Sequence, residues 1–185
     1  MNCSTATRPM PKYLNDRLNR ADKREVILAD RLRDSLIRLN KNLPTEAIEK
    51  ALERLTNKRQ AMSPILANRE LDGLIRNDVD VEFENAEGRT EQERVRVIDF
   101  DNPSRNRFLA VSQLWIKSER GFCRPDVLFY INGIPLVFIE LKNSNVKLKS
   151  AFDDNLTRYK EEIPQLFLTN AFAFSQTGSK RKSAV

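Results

Sequence analysis

Two carboxylates and a lysine near the middle of this chain have the residue types and spacing for metal-assisted hydrolysis of a phosphodiester. They stand in Arg124-Pro125-Asp126-Val127-Leu128 and, after a turn, in Phe138-Ile139-Glu140-Leu141-Lys142. Cutting a phosphodiester without histidine calls for a divalent metal, to lower the pKa of water and absorb charge on the phosphate. Magnesium takes a few carboxylates plus waters and substrate oxygens, so one Asp and one Glu are a suitable protein share. The backbone carbonyl of Leu141, between Glu140 and Lys142, adds a third oxygen. On a strand, Glu140 and Lys142 share one face, so metal carboxylate and ammonium emerge together. The ammonium can orient the attacking water or steady developing negative charge. Read without any function, the same spacing is a strand ending in a solvated charged edge.

Geometry makes the metal reading testable. Across an ideal two-residue turn at Asn132-Gly133, residue 131 faces 134 and residue 126 faces 139. Asp126 and Glu140 would then point to opposite sides of the sheet. A three-residue loop or one bulge shifts the register by one and brings both carboxylates to one face. The site therefore predicts that this turn is not a plain two-residue one.

Composition narrows the alternatives. The 185 residues contain no histidine, which excludes a zinc-hydrolase helix, a Ser-His triad and an imidazole base. Two cysteines, Cys3 and Cys123, cannot form a four-thiolate zinc site and suggest no disulfide framework. The excess of 32 Lys+Arg over 26 Asp+Glu gives a net charge of +6, which suits a polyanion partner. No apolar run reaches the roughly 20 residues of a membrane helix, and no signal-peptide pattern opens the chain. The expectation is a soluble, cytoplasmic protein.

The elements that must position the site follow from periodicity. Residues 1–22 read as an irregular start. Asp22 and Glu25 occupy capping-box positions before Leu28, Leu32, Leu36 and Leu39, which predicts a helix over 23–39. Ile48, Ala51, Leu52 and Leu55 predict another over about 45–57. Residues 60–90 read as a polar stretch with a short Leu71–Ile75 patch. Val95, Val97 and, with a flip, Phe100 give a half-exposed strand, and 109–116 a second. Residues 126–131 and 136–141 are apolar on both faces, as in central strands covered on both sides. Ser150 and Asp153 open a helix carrying Phe152, Leu156, Tyr159 and Ile163, stopped by Pro164. Residues 166–175 alternate as a last strand, and 176–185 form a basic tail. The order is that of one mixed α/β domain over 23–175.

Longer stretches carry a resemblance. "REVILADRLRDSLIRLN", "RVRVIDFDNPSRNRFLAVSQLWI", "RPDVLFYINGIPLVFIELKN" and "AFDDNLTRYKEEIPQLF" resemble the amino-terminal nuclease region of type I restriction R subunits. The likeness runs over about 23–172, and its paired "RPD…NG.P…IELKN" signature belongs to the PD-(D/E)xK superfamily. It implies a restriction-endonuclease-like fold, a mixed central sheet flanked by helices. It implies Asp126 and Glu140 as ligands of Mg²⁺ and Lys142 as catalytic lysine. A Gln-x-x-x-Tyr element of the family, which supports the site or the DNA contact, corresponds to Asn155 and Tyr159, with a shorter amide in place of the glutamine. By periodicity alone, Tyr159 is core stripe and Asn155 helix surface. The family also carries an acidic residue on an early helix, which residues 1–22 do not obviously supply.

Implied partners are double-stranded DNA and the methyltransferase and specificity subunits of a restriction complex. ATP belongs to the translocase of full-length members. This chain has no Gly-rich phosphate loop of the Walker type, so no ATP site is expected in it. Three readings compete: a metal-dependent endonuclease domain, a non-catalytic DNA-binding or subunit-docking fragment, and a structural interaction domain. DNA contacts should be mainly to phosphates, because nothing suggests base-specific readout.

Overall fold

The computed structural model describes residues 3–4, 18–59, 61–142 and 156–177. In chain order the elements are β1 (Cys3–Ser4), α1 (Ala29–Leu39), α2 (Thr45–Thr56), α3 (Pro64–Arg76), β2 (Val79–Glu84) and β3 (Thr90–Val95). They continue with β4 (Phe108–Ser112), β5 (Ile116–Ser118), β6 (Gly121–Cys123), β7 (Val127–Ile131) and β8 (Ile134–Lys142). A helix over 156–162 (α4), a short α5 (Pro164–Phe167) and β9 (Phe172–Thr177) complete it. The mixed α/β class is the expected one and is compatible with a restriction-endonuclease-like fold.

The central sheet has the order β4-β7-β8-β9, antiparallel except for the β8–β9 pair, which is parallel. Parallel neighbours need a crossover, and α4 and α5 lie in the connection that supplies it. Leu128, Tyr130 and Phe138 on one face of this sheet pack with Tyr159, Ile163 and Leu166. A second cluster joins Leu32 and Leu36 of α1 and Ile48, Ala51 and Leu55 of α2 to the β2–β3 hairpin. The small β1-β6-β5 sheet places Cys3 directly opposite Cys123.

Helix α1 starts later than its apolar spacing predicts. Asp22 does not cap a helix; its Oδ1 accepts from the N–H of Arg24 at 2.8 Å, closing a local turn. The chain then runs non-helically past Lys23, whose carbonyl accepts from Lys117 N–H, to Leu28, whose N–H donates to the carbonyl of Gly133 at 2.9 Å. These long-range bonds outbid the capping box. Val26 and Leu28 are buried in the cluster beneath the central sheet, while Leu32 and Leu36 serve the other cluster.

Three further expectations need correcting. The 60–90 stretch contains α3 and β2. The Ser63 side chain accepts from Leu66 N–H, Pro64 takes the first turn, and Ala67, Leu71 and Ile75 are buried. The 109–116 strand is split, because Gln113 turns out of it at φ 54°. Most consequentially, among the described residues the central strands are covered on one face only. Phe108, Phe129, Leu141, Phe172 and Phe174 are between 41% and 64% exposed. The pairings Ala110–Phe129–Val137–Phe172 and Val127–Ile139–Phe174 lay most of them in cross-strand rows on a single face.

One polar network locks the turn end of this sheet. Asn132 is fully buried and donates to the carbonyl of Val97 and to Asn106 Oδ1, both at 2.9 Å. Asn106 in turn accepts from Asp99 N–H and donates to the Asp99 carbonyl. The Asp99 carboxylate accepts from Asn102 N–H at 3.0 Å and pairs with Arg105 at 2.8 Å and Arg96 at 3.5 Å. The Asn102 bond, helped by the two arginines against the cost of desolvation, holds the Asp99 carboxyl below its ordinary pKa. A depressed carboxylate stabilises the fold above the unfolded value of about 3.9, and the contribution is lost as pH falls through the folded value. Asp99→Asn is therefore expected to flatten the acid limb of the stability curve below about pH 4, as read by circular-dichroism melts across pH.

Candidate active site

The two candidate carboxylates meet through a bulge, not through the turn. Ile131 pairs directly with Ile134, so Asn132 and Gly133 form a plain two-residue turn, with φ of 53° and 89°. The prediction of a longer turn is thus wrong. Asn-Gly accepts two positive φ values at little cost, and the buried Asn132 side chain anchors it. The register slips instead one step further on. Tyr130 faces Pro135, but Phe129 faces Val137, leaving Leu136 as the extra residue. Pro135 has no N–H to give the ladder, and strand prolines fit at such irregularities. The Leu136 carbonyl accepts from Ala171 N–H at 2.8 Å, just ahead of β9.

Beyond the bulge Leu128 faces Phe138 and Val127 faces Ile139. Continuing by one residue puts Asp126 opposite Glu140, and residues directly opposite share a face with Cβ atoms about 4.5–5.5 Å apart. It is the covered face, where Phe138 packs edge-on against Tyr159 at 5.2 Å between ring centroids.

Each side chain is held from behind. Asp126 lies just outside β7, its carbonyl accepting from Gln113 N–H at 2.9 Å. Its Oδ2 accepts from Leu141 N–H at 2.7 Å, leaving Oδ1 the freer oxygen. In a strand the N–H and C=O of one residue face the same side. The Leu141 carbonyl therefore lies on the Asp126 side while its side chain is on the open face. Glu140 is 3% exposed, and its Oε2 lies 3.5 Å from the hydroxyl of the fully buried Tyr159. That hydroxyl is also 3.4 Å from the Arg124 carbonyl. Tyr159 thus ties α4 to β8 and to the segment that leads into β7.

Lys142 is the last residue of β8, two beyond Glu140, at the register position opposite Thr177. Asn155 lies outside the described residues. Two carboxylates and a backbone carbonyl are hard oxygen donors, the set that fits a magnesium-sized cation with room left for water. Arg124, whose guanidinium lies 5.3 Å from the centre of the Trp115 ring, was not singled out from sequence. Its neighbour Pro125 is buried, so the segment leading into Asp126 is fixed by packing as well as by hydrogen bonds.

Comparison with known proteins decides the family. Residues 5–182 match the family described as type I restriction enzyme R protein N terminus. The chain belongs to this family. The type I restriction enzyme HindI endonuclease subunit of Haemophilus influenzae is 37% identical over 155 residues, which is 82% of this chain and 14% of that protein. The "Putative type I restriction enzyme MjaIXP endonuclease subunit" of Methanocaldococcus jannaschii is 36% identical over 154 residues, 80% of this chain and again 14% of the relative. This R-protein region thus spans about one seventh of the curated relatives it matches. The family match begins within the stretch expected to be irregular, where β1 already pairs with β6. Among the described residues no helix is long and apolar enough to cross a membrane.

Proposed function

We propose that this R-protein region is a DNA endonuclease domain that hydrolyses phosphodiesters of duplex DNA with Mg²⁺. The observation that carries the reading is the Leu136 bulge, which sets Asp126 opposite Glu140 on a buried face beside Tyr159. Without that one residue, the two carboxylates would have opposite orientations.

Asp126, Glu140 and the Leu141 carbonyl would hold the cation, which when bound supplies Lewis acidity toward a phosphate oxygen and a more acidic water. The protein's own residues then have separate tasks. The Leu141 N–H fixes one Asp126 oxygen and so aims the other. Tyr159 positions Glu140 from behind, through the 3.5 Å contact. Lys142 orients the attacking water and balances the negative charge that grows as the new P–O bond forms and the P–O3′ bond breaks. Double-stranded DNA and the methyltransferase and specificity subunits are the partners proposed for it.

A second reading is favoured by the open sheet face: a fragment that docks or holds DNA without cutting. Exposed apolar patches of this kind mark interaction surfaces. A plasmid-nicking assay separates the two. Supercoiled plasmid converted to open circles with Mg²⁺ and not with EDTA supports the nuclease, and folded protein that leaves plasmid intact supports the docking fragment.

A further inference from the structure

The open face of the central sheet has the composition and the area of an interface. Its two cross-strand rows, Ala110–Phe129–Val137–Phe172 and the next from Ser112 to Phe174, hold no charged residue, in a chain that is 31% charged. Strands β7 and β8 are apolar on both faces, the pattern of strands buried on both sides, yet the described residues cover one. Phe108, Phe129, Leu141, Phe172 and Phe174 keep 41% to 64% of their surface in water. At about 200 Å² for each such side chain, ~500 Å² of apolar surface stands open on these residues alone. The largest apolar patch of an ordinary monomer is about 300–600 Å² and is often functional.

Chemistry and relief narrow the occupant. Phosphates are held by Lys and Arg, and neither row supplies one, so this face does not suit duplex DNA. It does suit itself. A two-fold pair sets the same patch against its copy, so any charge on the patch would meet its like. The net charge of +6 lies outside these rows, and the face can meet its copy without that repulsion. Along the first row small and large side chains alternate, with Val137 a trough between Phe129 and Phe172. Such ridges and troughs are what two sheets interdigitate when they stack about 10 Å apart. The area agrees as well. A stable interface takes about 800 Å² from each partner, roughly 60% of it apolar, which is ~480 Å².

We infer that this chain pairs with a second copy of itself through the open sheet face, as a closed two-fold dimer with the two central sheets stacked. Asp126 and Glu140 lie on the covered face, so the pairing is independent of whether the domain cuts DNA. A standard-sized interface without charged anchors belongs at the weak end of its range, with a dissociation constant of about micromolar. More dilute protein is then monomeric, with the face open.

Sedimentation equilibrium of the full chain from ~0.1 to ~100 µM brackets that constant. The average mass should rise from 21.4 kDa toward twice that value and stop there. Phe129→Glu puts a carboxylate from each copy into the interface and should weaken association about 100-fold or more. Phe174→Lys does the same from β9 and stands in should the first variant not fold, which near-ultraviolet dichroism and melting report. Ile65→Ser removes an exposed apolar side chain of α3 and should leave the mass curve unchanged. Ammonium sulfate should tighten the pair, as burial of apolar surface requires. A mass of 21.4 kDa at every concentration would overturn the proposal and leave the face to another polypeptide, such as the further chain that the longer relatives carry. A dimer that both folded charge variants leave intact would place the contact elsewhere and overturn it too. Growth past two copies would overturn the closed pair.

Discussion

Asp126→Ala, Glu140→Gln and Lys142→Ala are each expected to slow Mg²⁺-dependent nicking by about 10²–10⁴-fold, the range for loss of one positioned acid–base or charge-stabilising group. The three should differ in a second measurement. Asp126 and Glu140 face one another just beyond the paired residues of β7 and β8, and in the proposed site each would contribute an oxygen to the cation. Losing either should abolish the rise in melting temperature that saturating Mg²⁺ produces, because a ligand bound only to the folded state stabilises by RT ln(1 + [L]/Kd). Lys142→Ala should keep that rise, since an ammonium donates nothing to a cation. Tyr159→Phe tests the support behind Glu140. It removes the hydroxyl and keeps the ring that packs on Phe138, so nicking should fall modestly with little change in stability. Equal loss of the metal-dependent rise in all three variants would argue against these roles.

Gly133→Ala is expected to cost the fold about 2–5 kcal/mol, from the left-handed backbone strain and the overpacking together. At φ +89° an alanine is strained before any neighbour is considered. The added Cβ would also lie 2.7 Å from the backbone N of Leu32 and 2.8 Å from the carbonyl O of Leu28. Neither can step aside, because the same turn accepts the Leu28 N–H where α1 begins. Gly88→Ala is the contrast. It has a similar φ of +74°, but its Cβ would meet only the end of the Glu84 side chain, at 3.5 Å. Its cost should be the backbone strain alone, about 1–2 kcal/mol. Urea denaturation followed by circular dichroism gives both values. Equal midpoints for the two variants would mean that the turn does not seat on α1.

Much of this architecture is legible in the sequence, and the misses share a cause. The stripes of α1 and α2 and the burial of Tyr159 follow from period alone, because local pattern and tertiary burial agree there; the apolar runs of β7 and β8 mark the strands but not the face that stays open. Helix α3 carried a start signal in Ser63-Pro64 and a stripe in Ala67, Leu71 and Ile75, hidden among asparagines and Gly73. The late start of α1 was not readable locally, since it depends on the Gly133 carbonyl, over a hundred residues away. The site sits between these cases. Residue types named Asp126, Glu140 and Lys142, and register arithmetic showed that one extra residue was needed. Pro135 was the clue to where it lies, for a residue without an N–H marks the ladder's weak rung. The Asp99–Asn106–Asn132 network had no periodic signature at all; buried polar residues declare themselves only through their partners.

The open face of the central sheet changes how this protein must be judged in the test tube. Anilinonaphthalene sulfonate fluoresces on exposed apolar surface and is commonly read as a sign of a molten state. With Phe172 and Phe174 stacked 6.1 Å apart in the open, the native protein is expected to light the dye while melting cooperatively and keeping its near-ultraviolet dichroism. Serine at both positions should dim the signal without disturbing either property. Bright dye would then report a well-ordered surface, and unfolding curves are better taken from label-free spectroscopy.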